Sequence, residues 1–219
     1  GLSASLKAGE RNLTEFSMRG AAKVNEKFAY KINVFALKAD DWEANNMDPT
    51  DISRDDAKNP GGYDDVNRYG DEDWWDDGGD VKFYAGMGRF YRPGIEEKHL
   101  VDYDTENLKL TTALHYKLTD EIMGIYALNF GSGTTVYQGE NRFSLKDILF
   151  LQNRVELRNE GKWFWRAYST HEDAGNSYDA YFTALRMQDS IVSNQFYSNQ
   201  YRTFWHIFSK PQVRSLPGS

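Results

Sequence analysis

Leu149-Phe-Leu-Gln-Asn-Arg-Val-Glu-Leu-Arg158 decides the fold. One set of alternate residues reads Leu149, Leu151, Val155, Leu157, broken only by Asn153, and the other reads Phe150, Gln152, Arg154, Glu156, Arg158. Side chains of a strand point alternately to opposite faces, so the segment has one greasy face and one wet face. Residues 15–24 repeat the pattern, with Phe16, Met18, Gly20, Ala22 and Val24 set against Glu15, Ser17, Arg19, Ala21 and Lys23. Strands are expected near 2–9, 13–24, 28–39, 106–118, 121–131, 147–158 and 163–172. A sheet with charges on one wall and aliphatics on the other fits a membrane-spanning barrel with a watery lumen. A soluble β-sandwich, its apolar face against a second sheet, shares the alternation and stays open.

The connections separate into two kinds. Three are short polar turns: 24–28, 118–122 and 159–163, as in tight hairpins. The others, apart from 9–12, read as long: 40–105, 132–146 and 173–219. Short turns at one end and long loops at the other is the asymmetry of outer-membrane barrels, whose loops are extracellular. Strands of about 10–12 residues also suit a hydrocarbon layer better than the 5–6 residues common in soluble sheets. Seven strands do not close a barrel, so a partial arc of a larger one is expected, with Val81–Tyr91 as a conceivable eighth strand.

The bulk numbers agree. Of 219 residues, 40% are hydrophobic, yet no run approaches the ~20 apolar residues of a transmembrane helix. There is no cysteine, which removes disulfides, thiolate metal sites and cysteine nucleophiles. Of the net charge of -7, residues 40–80 contribute 15 acidic and 3 basic groups, a net of -12, which leaves the rest at +5. A mildly basic body with one acidic insertion reads as an exposed loop. No Lys/Arg cluster interleaved with aromatics is present, so nucleic acid is not an expected partner. At the N-terminus no signal peptide is legible, and Leu2, Ala4, Leu6, Ala8 already alternate, so the chain is expected to be an internal piece of something longer.

Four stretches carry a family resemblance. Gly131-Ser-Gly-Thr-Thr-Val-Tyr137 through Asp147 resembles a recurrent stretch of TonB-dependent outer-membrane receptors of the Bacteroidetes. So do His171-Glu-Asp173 through Arg186, Lys38-Ala-Asp-Asp-Trp42, and Asp65-Val-Asn67-Arg-Tyr-Gly70-Asp-Glu72. They occur in the family's order and span most of the chain. The resemblance is to the type with a carboxypeptidase-like regulatory domain, related to the SusC group. It implies an all-β antiparallel transmembrane barrel of 22 strands, of which this chain is an early-to-middle arc of about seven. It further implies import of a nutrient (glycan, peptide or metal chelate) energised through TonB, in the bacterial outer membrane. Implied partners are the protein's own plug domain, the TonB complex, membrane lipids, and a SusD-like lipoprotein or other surface subunit. Alternatives are a soluble or surface all-β glycan-binding module, and a family barrel serving as a structural subunit of a surface assembly.

Candidate sites follow from residue type. Tyr63, Tyr69, Trp74 and Trp75 are flat rings among carboxylates, suited to stacking on sugars; the plainer reading is that they pin their own loop. Asp71, Glu72, Asp73, Asp76, Asp77 and Asp80 beside Gly78 and Gly79 offer hard oxygens without the spacing of an EF-hand loop, so no metal is assigned. Arg19, Lys23, Lys31, Lys109, Lys117, Arg154, Glu156, Arg158 and Arg166 are expected on the inner wall, facing a plug or water. Trp163, Phe164, Trp165, Phe28 and Tyr30 lie beside the short turns, where an interfacial girdle accounts for them. After Asp173 the period changes to that of a short helix over Tyr178–Asp189, with Asn176 or Ser177 as N-cap. The four histidines lack ligand spacing, and no nucleophile elbow, P-loop or H-E-x-x-H is present; no enzyme activity, catalytic residue or cofactor is expected.

Overall fold

The computed structural model describes residues 1–50, 64–76, 81–139 and 141–216. They form two compact units: 1–42 with 102–178, and 43–101 with 179–219.

The first unit is one antiparallel sheet. Its long strands are β1 (Leu2–Ala8), β2 (Thr14–Lys23), β3 (Phe28–Asp40), β4 (Asp104–Lys117), β5 (Ile122–Gln138), β6 (Arg142–Asn159) and β7 (Trp163–Asp173), paired in that order. Among the described residues β1 and β7 remain edges and no closed barrel forms. Nor is any described helix long and apolar enough to cross a membrane, which leaves strand-borne crossing untouched.

The register runs one-to-one across β1–β5. Ala4 lies opposite Met18, then Val34, Leu110, Phe130, Leu151 and His171 in one lateral row. Since cross-strand partners share a face, the apolar sets of all the strands fall on the same side. A slip of one residue anywhere would invert a strand's faces. Asn153 is the polar interruption on β6, and Tyr126 Oη donates to its Oδ1 at 2.7 Å. At one end this face terminates in the ion pair of Lys38 and Glu106, neighbours on β3 and β4 at 2.7 Å. Between that row and the short turns, β1–β6 place no Asp, Glu, Lys or Arg on it. β7 departs from the pattern: Trp165 and Ala167 continue the face, but Ser169, His171 and Asp173 follow.

The stretch 132–146, read from sequence as a long loop, is instead strand. β5 runs on to Gln138, and β6 begins at Arg142. A bulge lies between Leu145 and Ile148, where two steps on β5 face three on β6. Asp147 there takes φ 56, and its amide donates to Thr134 Oγ1 at 3.2 Å. Gly175 lies alongside; a Cβ on it would stand 2.3 Å from the Lys146 carbonyl, and its φ is +59, so only glycine fits.

The second unit is irregular chain and helix. Two-residue ladders pair Arg68–Tyr69 with Ile95–Glu96 and Trp74–Trp75 with Phe90–Tyr91. Val81–Tyr91 is thus a helical turn followed by one of these ladders, not an eighth long strand. Helix α1 (Ala180–Ile191) buries Ala180, Ala184 and Gln188, spaced four apart on one stripe. Its cap is Asp179, which accepts from Phe182 N at 3.0 Å, rather than Asn176 or Ser177. Ser177 is committed elsewhere: its Oγ accepts from Lys146 N and donates to Ala174 O. A second helix, α2 (Asn194–Phe204), capped by Ser193, follows and had no counterpart in the sequence reading.

Candidate functional site

The register gathers the charges as it gathers the leucines. Arg19, Lys23, Lys31, Lys109, Lys117, Arg154, Glu156, Arg158 and Arg166 all lie on the face opposite the apolar one. Phe164, also beside a short turn, is on this face too, with the Arg166 guanidinium 5.4 Å from its ring. Trp163, Trp165, Phe28 and Tyr30 are on the apolar face.

Glu156 is the anchor of the charged wall. It is 5% exposed, and its Oε2 takes Arg166 Nε at 2.9 Å from the neighbouring strand and Arg154 Nη1 at 3.4 Å from its own. Two cations on one carboxylate offset the cost of burying it. Lys7 pairs with Glu15, and Lys23 with Glu26, both at 2.7 Å. Arg19, Lys31, Lys109, Lys117 and Arg158 make no ion pair among the described residues. Cations therefore outnumber acids on this wall, and it attracts anionic groups.

In the second unit the rings are packed against one another. Phe90, fully buried, stacks on Tyr201 at 4.0 Å between centroids, and Trp75 meets Phe90 at 5.6 Å and Tyr197 at 6.0 Å. Arg92 lies over Tyr197 and donates to Gln188 O and Asn194 Oδ1, each at 2.8 Å. Tyr69 Oη donates to the buried Glu97 at 2.5 Å. Tyr69 and Trp75 are thus engaged within their own unit and not brought together as a free stacking platform. Tyr63 and the Trp74 side chain lie outside the described residues, as do Asp77 and Asp80.

Part of the acidic stretch lies inside, whereas Asp73 and Asp76 are exposed. Asp64, Asp65 and Asp71 are buried. Among the described residues no N–H or hydroxyl donates to either oxygen of Asp71, whose carboxyl shares a hydrogen bond with that of Asp64. Burial, then the nearby charges of Asp64 and Glu72, push its carboxyl up to about 8. Burial likewise raises Glu72 to about 7, although its Oε2 accepts from Gly70 N at 2.7 Å. Asp71 is thus held as a neutral acid at neutral pH. The sequence signal for this was present but inverted: an acidic run ordinarily means solvent, and here it includes an interior. Among the described residues no three His, Cys, Asp or Glu side chains stand at metal-ligand spacing.

No protein-family model, no curated protein and no solved structure matches this chain.

Proposed function

We propose that the chain is an arc of a TonB-dependent outer-membrane transporter barrel, importing a nutrient through a lumen that its charged wall lines. One observation carries the membrane part of this reading: six adjacent strands present a face without a single charge below the Lys38–Glu106 row. Leu2, Leu6, Leu108, Leu114, Tyr116 and Val155 are exposed on it. A contiguous apolar surface of that extent needs an apolar partner. In hydrocarbon a sheet meets that need while pairing its own backbone groups. From Leu149 to Leu157 the row rises about 26 Å along the strand, or about 20 Å at a tilt of ~40°, close to the ~25 Å apolar band of such barrels.

The opposite wall suits the lumen of that barrel, with unpaired cations for a plug or a solute. The edges β1 and β7 would continue into further strands, the resemblance implying 22 in all. A soluble glycan-binding module has less support, because the Trp75 ring is already packed against Phe90 and Tyr197.

The test is the mass and heat-modifiability of the native polypeptide in an outer-membrane fraction. A species several times heavier than this 25.3 kDa segment that shifts on boiling is expected. A soluble species with no shift overturns the reading.

A further inference from the structure

One lateral row of the polar wall reads Lys109 on β4, Gly131 on β5, Phe150 on β6 and Glu172 on β7, each directly opposite the next. All four line a single hollow of about 840 Å³, with Asn107 and Asn129 beside them. Ligand pockets run from about 300 to 1,000 Å³.

Gly131 is its floor. A Cβ there would meet nothing within 4 Å, so neither packing nor backbone crowding asks for glycine. Gly133, two residues on, differs: its Cβ would stand 2.7 Å from the Glu106 carbonyl. A glycine inside a strand weakens it, and one without a neighbour to accommodate marks a place where another molecule approaches the backbone.

The ends of the row carry opposite charges. Lys109 and Glu172 make no ion pair or hydrogen bond among the described residues; Lys109 Nζ rests 5.7 Å from the Phe35 ring. Three strand spacings of ~4.8 Å separate them, about 14 Å in all, too far for the two to meet. Between them stand the open floor and the half-exposed Phe150 ring. Asn107 adds a buried Oδ1 with no donor.

We propose that this hollow binds a short peptide with free ends. Its carboxylate is taken by Lys109, its ammonium by Glu172, and a side chain lies on Phe150 above Gly131. About four extended residues, at ~3.3 Å each, cover the distance. The inference rests on the transporter reading in naming the cargo, whereas the site itself is tested by binding.

The experiment is equilibrium dialysis of the full-length protein in detergent against an equimolar mixture of four-residue peptides, read by mass spectrometry. The same mixture is run N-acetylated, C-amidated, and with both ends blocked. Free-ended peptides are expected to be retained about tenfold better than singly blocked ones, as one charge-assisted contact provides, and about a hundredfold better than doubly blocked ones. Lys109→Gln should abolish the penalty for amidation and keep that for acetylation; Glu172→Gln should do the reverse. Gly131→Leu, at a position open enough to accept it, should abolish retention at an unchanged melting temperature. Equal retention of free and blocked peptides, no retention, or full retention by Gly131→Leu overturns the proposal. A protein that shifts on boiling yet ignores the peptide ends loses this site and keeps the barrel; a soluble protein that reads the ends does the opposite.

Discussion

Tyr126 and Asn153 are joined by a 2.7 Å hydrogen bond on the face that otherwise carries leucines and aromatics. The hydroxyl answers the one amide oxygen that interrupts the apolar row of β6. If this face lies in hydrocarbon as proposed, Tyr126→Phe leaves that oxygen without a donor, a loss of about 1–3 kcal/mol. Asn153→Leu combined with Tyr126→Phe should recover wild-type stability, because both polar partners are then gone. Urea midpoints of the four proteins in lipid vesicles measure the cycle. If the double variant is as unstable as Tyr126→Phe alone, the pairing is not what satisfies Asn153.

Neighbouring residues on β6 should answer a charge in opposite ways. Leu151 lies opposite Phe130 on the apolar side, and Gln152 opposite Asn129 on the polar side, where Asn129 Nδ2 donates to it at 3.2 Å. A charge in mid-hydrocarbon costs about 2–4 kcal/mol. If the sheet is the proposed membrane arc, Leu151→Arg should therefore deplete folded protein from the outer membrane, and Gln152→Arg should not. Equal levels of the two on a heat-modifiability gel would refute the facing.

Glu156 should be the most sensitive charge of the polar wall. Glu156→Gln leaves Arg166 and Arg154 facing each other across a neutral amide. Both arginines retain water contact, which limits the cost to about 1–3 kcal/mol, below that of a fully buried pair. Glu156→Gln with Arg166→Gln should recover part of it. Unfolding of the single and double variants decides the matter.

The buried acids make the second unit sensitive to alkali. Asp71 rises from 3.8 to about 8 and Glu72 from 4.5 to about 7 on folding. A carboxyl raised by folding binds its proton more tightly in the native state. Its contribution is therefore complete below pH 4 and declines as pH climbs towards 8. Each such proton changes stability by about 1.4 kcal/mol per pH unit within that window. Amide exchange in α1 should accelerate between pH 5 and 8 beyond its intrinsic rise, and Asp71→Asn should reduce the excess to the part that Glu72 contributes. A pH-independent excess would show that Asp71 is ionised throughout.

The two faces of the sheet were legible because a period of two, repeated from β1 to β6, admits one register that keeps leucines together. Legibility stopped where local composition misleads. Ser132-Gly-Thr-Thr135 and Lys146 look like loop, yet ladder pairing with both neighbours holds the first in β5, and a bulge absorbs the second in β6. Asn176 and Ser177 look like helix caps, but Ser177 spends its hydroxyl on Lys146 and Ala174, so the cap passes to Asp179. Each nearby segment competed for the same polar groups, which a linear reading does not reveal. The row through Gly131 was hidden for a similar reason: its members are 63 positions apart along the chain and meet only once four strands are aligned.

The bulge at Asp147 also sets how far such a wall can change over time. Below it the odd-numbered residues of β6 share the face of Phe130; beyond it Ser144, opposite Val136, takes that side, and Leu145 turns the other way. One inserted residue thus writes a waterline into the backbone. The ribbon above it answers to a different selective pressure from the band below. If the sheet is the arc proposed above, descendants can lengthen, trim or recolour the upper ribbon while the charge-free band stays as it was.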